Sequence, residues 1–376
     1  MYTNKLRVSI FLNTPAQVYF YKKIAEGLEK RGHEVMFLVR DYGETIELLN
    51  ELGLKYFVYS KPEKSKYRKI MNLPFAVYKA TCQLLKFKPD IITGFGTYDA
   101  FSSFFLRKPC IVFTDSEPRV NLSLSIQFKL FMPLLKVIIT PTFFLDDLGP
   151  KQIRINSCKE LAYLHLDYYK PNEDIFDLLK LREHEDYAVV RFNSFDATHD
   201  IGVKGFRLQD KIALVKMLSE YIKVFISFEG AVPKEIERYK LKTPKSRIHD
   251  VLYYAKLFVA DTQTMSMEAA ILGTPVIRCN SFVGEKDMGG VIELENKYGL
   301  IFNIRDPKIA IRKAEELIQK PNLKREWRDK KGRLLEDKCD ITKFMISFIE
   351  NYPQSIKDIK ESLNTRELEI MLKCEP

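Results

Sequence analysis

A chain of 376 residues is longer than one ordinary hydrophobic core supports, so its length predicts two domains. Its 46% hydrophobic content is that of a folded globular protein, and no run reaches the roughly eighteen unbroken apolar residues of a spanning helix. Lys and Arg exceed Asp and Glu to a net charge of +10, yet no nucleic-acid recognition motif accompanies the excess, and the six scattered cysteines form no CxxC pair and have no histidine at metal spacing, so a cytoplasmic protein with no structural metal and no nucleic-acid partner is expected.

The first residues, MYTNKLRVSIFLNTP, run straight into a strand without the layout of a signal peptide. Strand and helix signals then alternate. Strand Leu6–Leu12 is followed by amphipathic helix Ala16–Arg31, a solvent-facing turn at Gly32-His33, strand Val35–Val39, helix Glu44–Leu52 and strand Tyr56–Tyr59. Helix Pro74–Leu85, strand Ile91–Thr93, helix Tyr98–Leu106, strand Cys110–Thr114, helix Leu122–Leu135 and strand Val137–Thr140 complete the first series. The rhythm breaks between Asp146 and Pro171, a stretch that holds a short strand, Ile153–Asn156, and a Tyr-rich irregular piece. A second series runs through strand Tyr187–Phe192, helix Gln209–Tyr221, strand Val224–Phe228, helix Pro233–Tyr239, a short strand near Arg247-Ile248 and helix Val251–Ala255. Strand Leu257–Ala260, a helix ended by Gly273-Thr274-Pro275, a strand from Val276, helix Glu285–Tyr298, strand Leu300–Phe302 and helices Pro307–Gln319, Leu323–Glu336 and Ile341–Tyr352 follow, with a polar tail after Pro353.

Such alternation predicts an α/β protein of two facing doubly wound Rossmann-like domains with an interdomain cleft. The expected bounds are an N-terminal domain over 1–150, a hinge over 151–172, a C-terminal domain over 173–340, and a crossing helix and tail over 341–376. In sheets of this kind the ligand edge lies at the carboxyl ends of the strands.

The most telling segment is Leu257–Arg278, LFVADTQTMSMEAAILGTPVIR. Thr262, Thr264 and Ser266 stand where free backbone N–H groups and the helix dipole favour an anion, and Glu268 follows one turn in, within reach of a sugar hydroxyl. A second cluster, VVRFNSFDATHDIG over Val189–Gly202, crowds Arg191, Asn193 and His199 after a strand, and a guanidinium there suits a diphosphate. Asn13 and Thr14, just past the first strand, stand at the ligand edge of their sheet, with Thr14 also placed to cap the helix before Pro15. Lys61–Lys88 interleaves basic and apolar residues in the manner of a segment resting on an anionic bilayer.

The set Asn13-Thr14-Pro15, Lys30-Arg31-Gly32-His33-Glu34-Val35, Lys88-Pro89-Asp90-Ile91, Phe113-Thr114-Asp115-Ser116-Glu117, Lys159–His165 and Met267–Pro275 resembles the family called domain of unknown function 354. Behind it stands the GT-B architecture of nucleotide-sugar glycosyltransferases and of the non-hydrolysing UDP-N-acetylglucosamine 2-epimerases. The resemblance implies that Glu268 binds the ribose hydroxyls, with Thr262, Gln263, Thr264, Met265 and Ser266 replacing a glycine-rich turn. It sets Asp115, Ser116, Glu117 and Arg119 where the epimerases carry a catalytic Glu and, four residues on, an Arg. The epimerases' Gly-Asp-Thr motif becomes Gly94-Phe95-Gly96-Thr97, without its Asp, although Asp99 is close by.

The function so implied is glycosyl transfer in surface polysaccharide or glycolipid synthesis. The expected donor is a nucleotide-activated sugar, such as a UDP-sugar, and the acceptor a saccharide or a lipid-linked sugar. Asp115 or Glu117 would be the base. Arg191, Asn193, His199, Thr262, Gln263, Thr264, Ser266 and Glu268 would hold the donor, and Asn13, Thr14, Thr97, Asp99 and Arg119 the acceptor side. No metal and no cofactor are expected, and the protein would stand in the cytoplasm, peripherally at the inner membrane through Lys61–Lys88. A sugar-nucleotide epimerase is the alternative, and a non-catalytic member of the same fold is the third reading.

Overall fold

The computed structural model describes residues 5–62, 66–120, 122–193, 205–228, 233–284 and 287–362. The chain divides into two compact units. One comprises Met1–Pro118, Leu122–Tyr168 and Lys338–Pro376, and the other Tyr169–Asp337 with Arg119–Asn121.

The first unit is built on a seven-stranded parallel sheet. Its strands are β1 (Arg7–Leu12), β2 (Glu34–Arg40), β3 (Tyr56–Ser60), β4 (Ile91–Gly94), β5 (Cys110–Phe113), β6 (Val137–Pro141) and β7 (Gln152–Ile155), in the order β3-β2-β1-β4-β5-β6-β7. Every residue of β4, β5 and β6 is buried, as continuous apolar runs in a sheet covered on both faces require. The order reverses between β1 and β4, which opens a crevice at their carboxyl ends. Helix Pro15–Lys30 starts on Pro15 at its first turn and buries Val18, Tyr21, Ile24, Ala25 and Leu28. The Tyr21 hydroxyl pairs with Thr93 Oγ1 at 2.8 Å and donates to the Gly94 carbonyl at 3.1 Å, locking that helix to the end of β4. Helices Lys66–Phe87, Tyr98–Leu106 and Leu122–Phe131 share one core with the sheet, through Ala76, Ala80, Ala100, Phe128 and Phe131 against Phe11, Ile92 and Val112.

Four expectations are corrected in this unit. Residues 151–168, expected as a hinge, group with the first unit: Ile153 and Ile155 are buried and Gln152–Ile155 pairs in parallel with β6 at the edge of the first sheet. His33 is not a solvent-facing turn residue. It is buried, its Nδ1 accepts from the Leu6 N–H at 3.1 Å, and its Nε2 lies 2.9 Å from Glu350 Oε1 on the returning helix Ile341–Glu350. The helix expected from Pro74 begins at Lys66 and carries Pro74 inside it. In the polar tail expected after Pro353, Gln354–Ser362 form a further helix whose Ser355 is buried and donates to the Phe348 carbonyl at 2.9 Å, and the rest of the tail lies outside the described residues.

The second unit holds a five-stranded parallel sheet of β8 (Tyr187–Phe192), β9 (Lys223–Phe228), β10 (Leu257–Ala260), β11 (Val276–Arg278) and β12 (Ile301–Asn303), in the order β12-β11-β10-β8-β9. Here the order reverses between β8 and β10. Two local readings change. No strand forms near Arg247, because Pro244 starts a 3-10 turn, Lys245–Arg247, that runs into helix Ile248–Tyr254. Of the helix expected over Glu285–Tyr298, Glu285 lies outside the described residues and the helix runs Gly289–Asn296, after an extended Met288 at its N-cap.

Candidate functional site

In the second unit the polar groups gather at the β8/β10 switch. Parallel register sets Arg191 on β8 beside Ala260 on β10 and Ser227 on β9. The Arg191 guanidinium donates to Ser227 Oγ at 2.7 Å. Asp261, the first residue past β10, accepts the Asn193 N–H on Oδ1 at 2.7 Å, while Oδ2 is buried without a hydrogen-bond partner. Burial pushes the Asp261 carboxyl up to about 7, against the opposing pull of the Asn193 N–H, Lys211 and Arg191. Lys211, on helix Leu208–Ser219, lies over the rings of Phe192 and Phe228, and burial lowers its ammonium pKa.

Helix Thr264–Leu272 starts directly after this carboxyl, with Gln263 as its N-cap. Thr262 Oγ1 and Gln263 Nε2 are buried without hydrogen-bond partners. Two of the expected ligand groups are instead turned to protein. Ser266 is fully buried and its hydroxyl donates back to the Thr262 carbonyl at 2.6 Å. Glu268 is buried with Oε1 3.4 Å from His249 Nε2, and His249 meets the ring of Tyr169 edge-on. His199 lies outside the described residues.

The next strand end carries a fully buried arginine. Arg278 grips Asp287 with two nitrogens, at 2.7 and 3.0 Å, and donates to Asn303 Oδ1 at 2.9 Å. Asn303 in turn donates to Glu295, and Asn280 donates to the Asp261 carbonyl at 2.9 Å. This network ties the loop after β11 to helix Gly289–Asn296 and to the Asp261 turn. Arg119 groups with this unit, its guanidinium donating to the Asp287 carbonyl at 2.9 Å.

In the first unit the β1/β4 switch carries Asn13 and the turn Gly94-Phe95-Gly96-Thr97. The Asn13 N–H donates to Gln17 Oε1 at 2.7 Å, and its Oδ1 accepts from the Tyr59 hydroxyl. Thr14 is the N-cap of helix Pro15–Lys30, but its side chain makes no capping hydrogen bond. Asp99 is fully buried and accepts from the N–H groups of Gly96 and Ala100 at 2.9 and 3.0 Å. Burial raises its carboxyl to about 6. It thus holds the turn from beneath and presents no face to a substrate. Gly94 has no room for a side chain, since a Cβ would stand 2.4 Å from Asp99 Oδ2. Thr97 adopts φ +73°, a strained conformation for a β-branched residue, at the mouth of the crevice.

Past β5, Asp115 and Lys159 form a buried pair at 2.6 Å, with Glu160 Oε1 3.5 Å from the same ammonium. Glu117 is buried and accepts the Leu145 N–H at 2.6 Å, an arrangement that anchors the segment after β6. Of the two expected bases, Asp115 therefore has the setting of a carboxylate poised by a cation, and Glu117 that of a structural acceptor.

Asp261, His249, Lys159 and Arg278 were not anticipated as site residues. Asp261 had a local signal, an acid directly following a wholly apolar strand, whereas His249 and Lys159 meet their partners only through the fold.

Solved structures resemble the chain over nearly its whole length at low identity. The MnaA–UDP co-structure from S. aureus matches with a TM-score of 0.67 and 12% identity over 94% of this chain and 98% of that one. The UDP-GlcNAc 2-epimerase of Neisseria meningitidis bound to UDP-GlcNAc gives 0.60 and 13% over 96% and 100%. The glycotransferase of kitacinnamycin gives 0.59 and 12% over 94% and 100%. These likenesses establish the fold class, two doubly wound Rossmann-like units of the GT-B kind. No curated protein sequence matches the chain. Residues 6–352 match the family described as Protein of unknown function (DUF354), and the chain belongs to that family.

Proposed function

We propose that the protein binds a nucleotide-activated sugar, a UDP-sugar in the simplest case, in its second unit and transfers the sugar to a saccharide or lipid-linked acceptor of a surface polysaccharide or glycolipid. One observation carries the reading. At the β8/β10 switch, Arg191 and Lys211 stand with the start of helix Thr264–Leu272, beside the buried, unpartnered Thr262 Oγ1 and Gln263 Nε2. Two cations, a helix amino end and unsatisfied polar atoms form a site for a diphosphate and a polar base or ribose. In this reading the departing diphosphate is stabilised by Arg191 and the helix start, so the step calls on no further cofactor. Asp115, beside Lys159, accepts the proton of the incoming hydroxyl.

Epimerisation is the second reading, supported by the likeness to an epimerase bound to UDP-GlcNAc over 96% of the chain. It calls for carboxylates able to move protons on both faces of the sugar. The Gly94–Thr97 turn carries none, and Asp99 is sealed beneath it. That balance favours transfer.

Isothermal titration with uridine diphosphate and UDP-sugars tests the donor site. Binding that weakens at least about tenfold in Arg191→Met supports it, and absence of binding by any nucleotide sinks both readings. Incubating UDP-N-acetylglucosamine with enzyme and no acceptor, followed by proton NMR, separates the two: an accumulating epimer selects the second.

A further inference from the structure

The helical layer of the first unit carries a surface that the donor chemistry does not use. Nine of the fifteen exposed large apolar side chains among the described residues fall between Met71 and Leu130. On helix Lys66–Phe87 they are Met71, Phe75, Tyr78 and Leu85, which recur on one face. Helix Tyr98–Leu106 adds Phe104 and Phe105, and helix Leu122–Phe131 adds Leu122, Ile126 and Leu130 at successive fourth positions. Met71 and Leu122 are each 78% exposed. The inner faces of all three helices pack into the same core on the same side of the sheet, so their outer faces belong to one layer. Between the first two helices lies a cavity of about 380 Å³ lined by Leu73, Pro74, Val77, Tyr78, Phe101 and Phe105.

The charges around these residues have one sign. Helix Lys66–Phe87 contains five Lys or Arg and no Asp or Glu. Lys88 follows it, Arg107 follows the second helix, and Lys129 stands on the third, all exposed. The only acids between residues 66 and 131 are Asp90, Asp99, Asp115 and Glu117. The last three are buried, and Asp90 is half-buried and accepts the Arg7 N–H at 2.9 Å.

We propose that this three-helix face is a docking surface for an anionic phospholipid bilayer. Aromatic and aliphatic side chains projecting from a ring of lysines enter the interface between headgroups and acyl chains, while the ammonium groups extend to the lipid phosphates. A second copy of the chain is the poorer occupant, because a two-fold contact would set each cation against its like. No helix among the described residues is long and apolar enough to cross a membrane, so the contact is peripheral. The surface extends the basic segment Lys61–Lys88 to two helices beyond it, and it does not rest on the nucleotide-sugar reading.

The test is flotation of the full chain with vesicles of phosphatidylcholine alone and of phosphatidylcholine with an equal part of phosphatidylglycerol. The protein is expected to float with the anionic vesicles and to be released by added salt. Replacing Lys86, Lys88 and Lys129 together by Gln is expected to weaken binding by about a hundredfold. Phe75→Ser, Phe104→Ser and Leu130→Ser combined should abolish flotation, with thermal unfolding and nucleotide titration unchanged. Leu178→Ser with Ile309→Ser, exposed apolar positions of the second unit, should leave flotation as it was. Failure to float with either vesicle overturns the proposal, as does flotation that survives the triple serine variant. A dimer in sedimentation that the triple variant dissociates, or an acidic protein captured while vesicles remain bare, would assign the face to a protein partner and overturn it equally.

Discussion

Asp261 makes the stability of the second unit depend on pH in an unusual direction. Its carboxyl is almost fully buried, one oxygen receives the Asn193 N–H, and the other has no hydrogen-bond partner. Burial raises its pKa from 3.8 to about 7. Between those values the unfolded chain has released the proton and the folded chain still holds it. Stability therefore falls as pH rises through the window and levels once both states are charged. About three pH units at ~1.4 kcal/mol each give a loss on the order of 4 kcal/mol. Asp261→Asn stays neutral and keeps an acceptor for the Asn193 N–H. It should match the wild type near about pH 4 and exceed it by up to about 4 kcal/mol near about pH 8, on the order of 10 °C in melting temperature. Thermal unfolding of both proteins across that range is the assay. The same carboxyl bears on the donor site, because a diphosphate beside it favours the protonated form. Wild-type affinity for uridine diphosphate should drop up to about tenfold per pH unit above about pH 7, and the variant's should not. A melting difference independent of pH would refute the burial argument, and a pH-independent wild-type affinity would remove Asp261 from the neighbourhood of the phosphates.

Three further perturbations test the supporting structure. Arg278→Met strands the buried Asp287 carboxylate and should cost about 3–5 kcal/mol in urea unfolding; adding Asp287→Leu should recover most of it, and simple additivity of the two losses would deny the pair. Lys159→Met leaves Asp115 buried beside Glu160 without its cation and should cost about 3 kcal/mol, restored in part by Asp115→Asn. At the β4 turn, Gly94→Ala sets a methyl 2.4 Å from Asp99 Oδ2 and should lose about 1–3 kcal/mol, whereas Thr97→Gly relieves a positive φ and should gain about 1 kcal/mol; equal effects would mean the turn is not strained as described.

Which parts of this structure could be read from the residues follows from the range of the forces involved. Strands such as Leu257–Ala260 and Cys110–Phe113 declare themselves locally, because a strand buried on both faces must be apolar throughout. Alternation with helices then makes each sheet parallel and gathers its strands' carboxyl ends at one edge, which is why Arg191 and Asn193 in one unit, and Asn13 and the Thr97 turn in the other, end at switch points. What local pattern does not contain is the partner of a buried charge. Glu268 meets His249 across two helices, and Asp115 meets Lys159 from 44 residues away. His33 follows the same logic: RGHEV resembles an exposed turn until Glu350, 317 residues later, returns to cover it. The short strand expected at Ile153–Asn156 forms as Gln152–Ile155, but its membership of the first sheet rests on pairing with β6, which a local pattern does not contain. Local sequence thus located the carboxyl edges of the two sheets, while the long-range pairs decide which of the polar groups there are turned to protein. Ser266, Glu117 and Asp99 are of that kind, each bonded to a backbone group of its own unit, whereas Thr262 Oγ1 and Gln263 Nε2 are buried with no hydrogen-bond partner among the described residues.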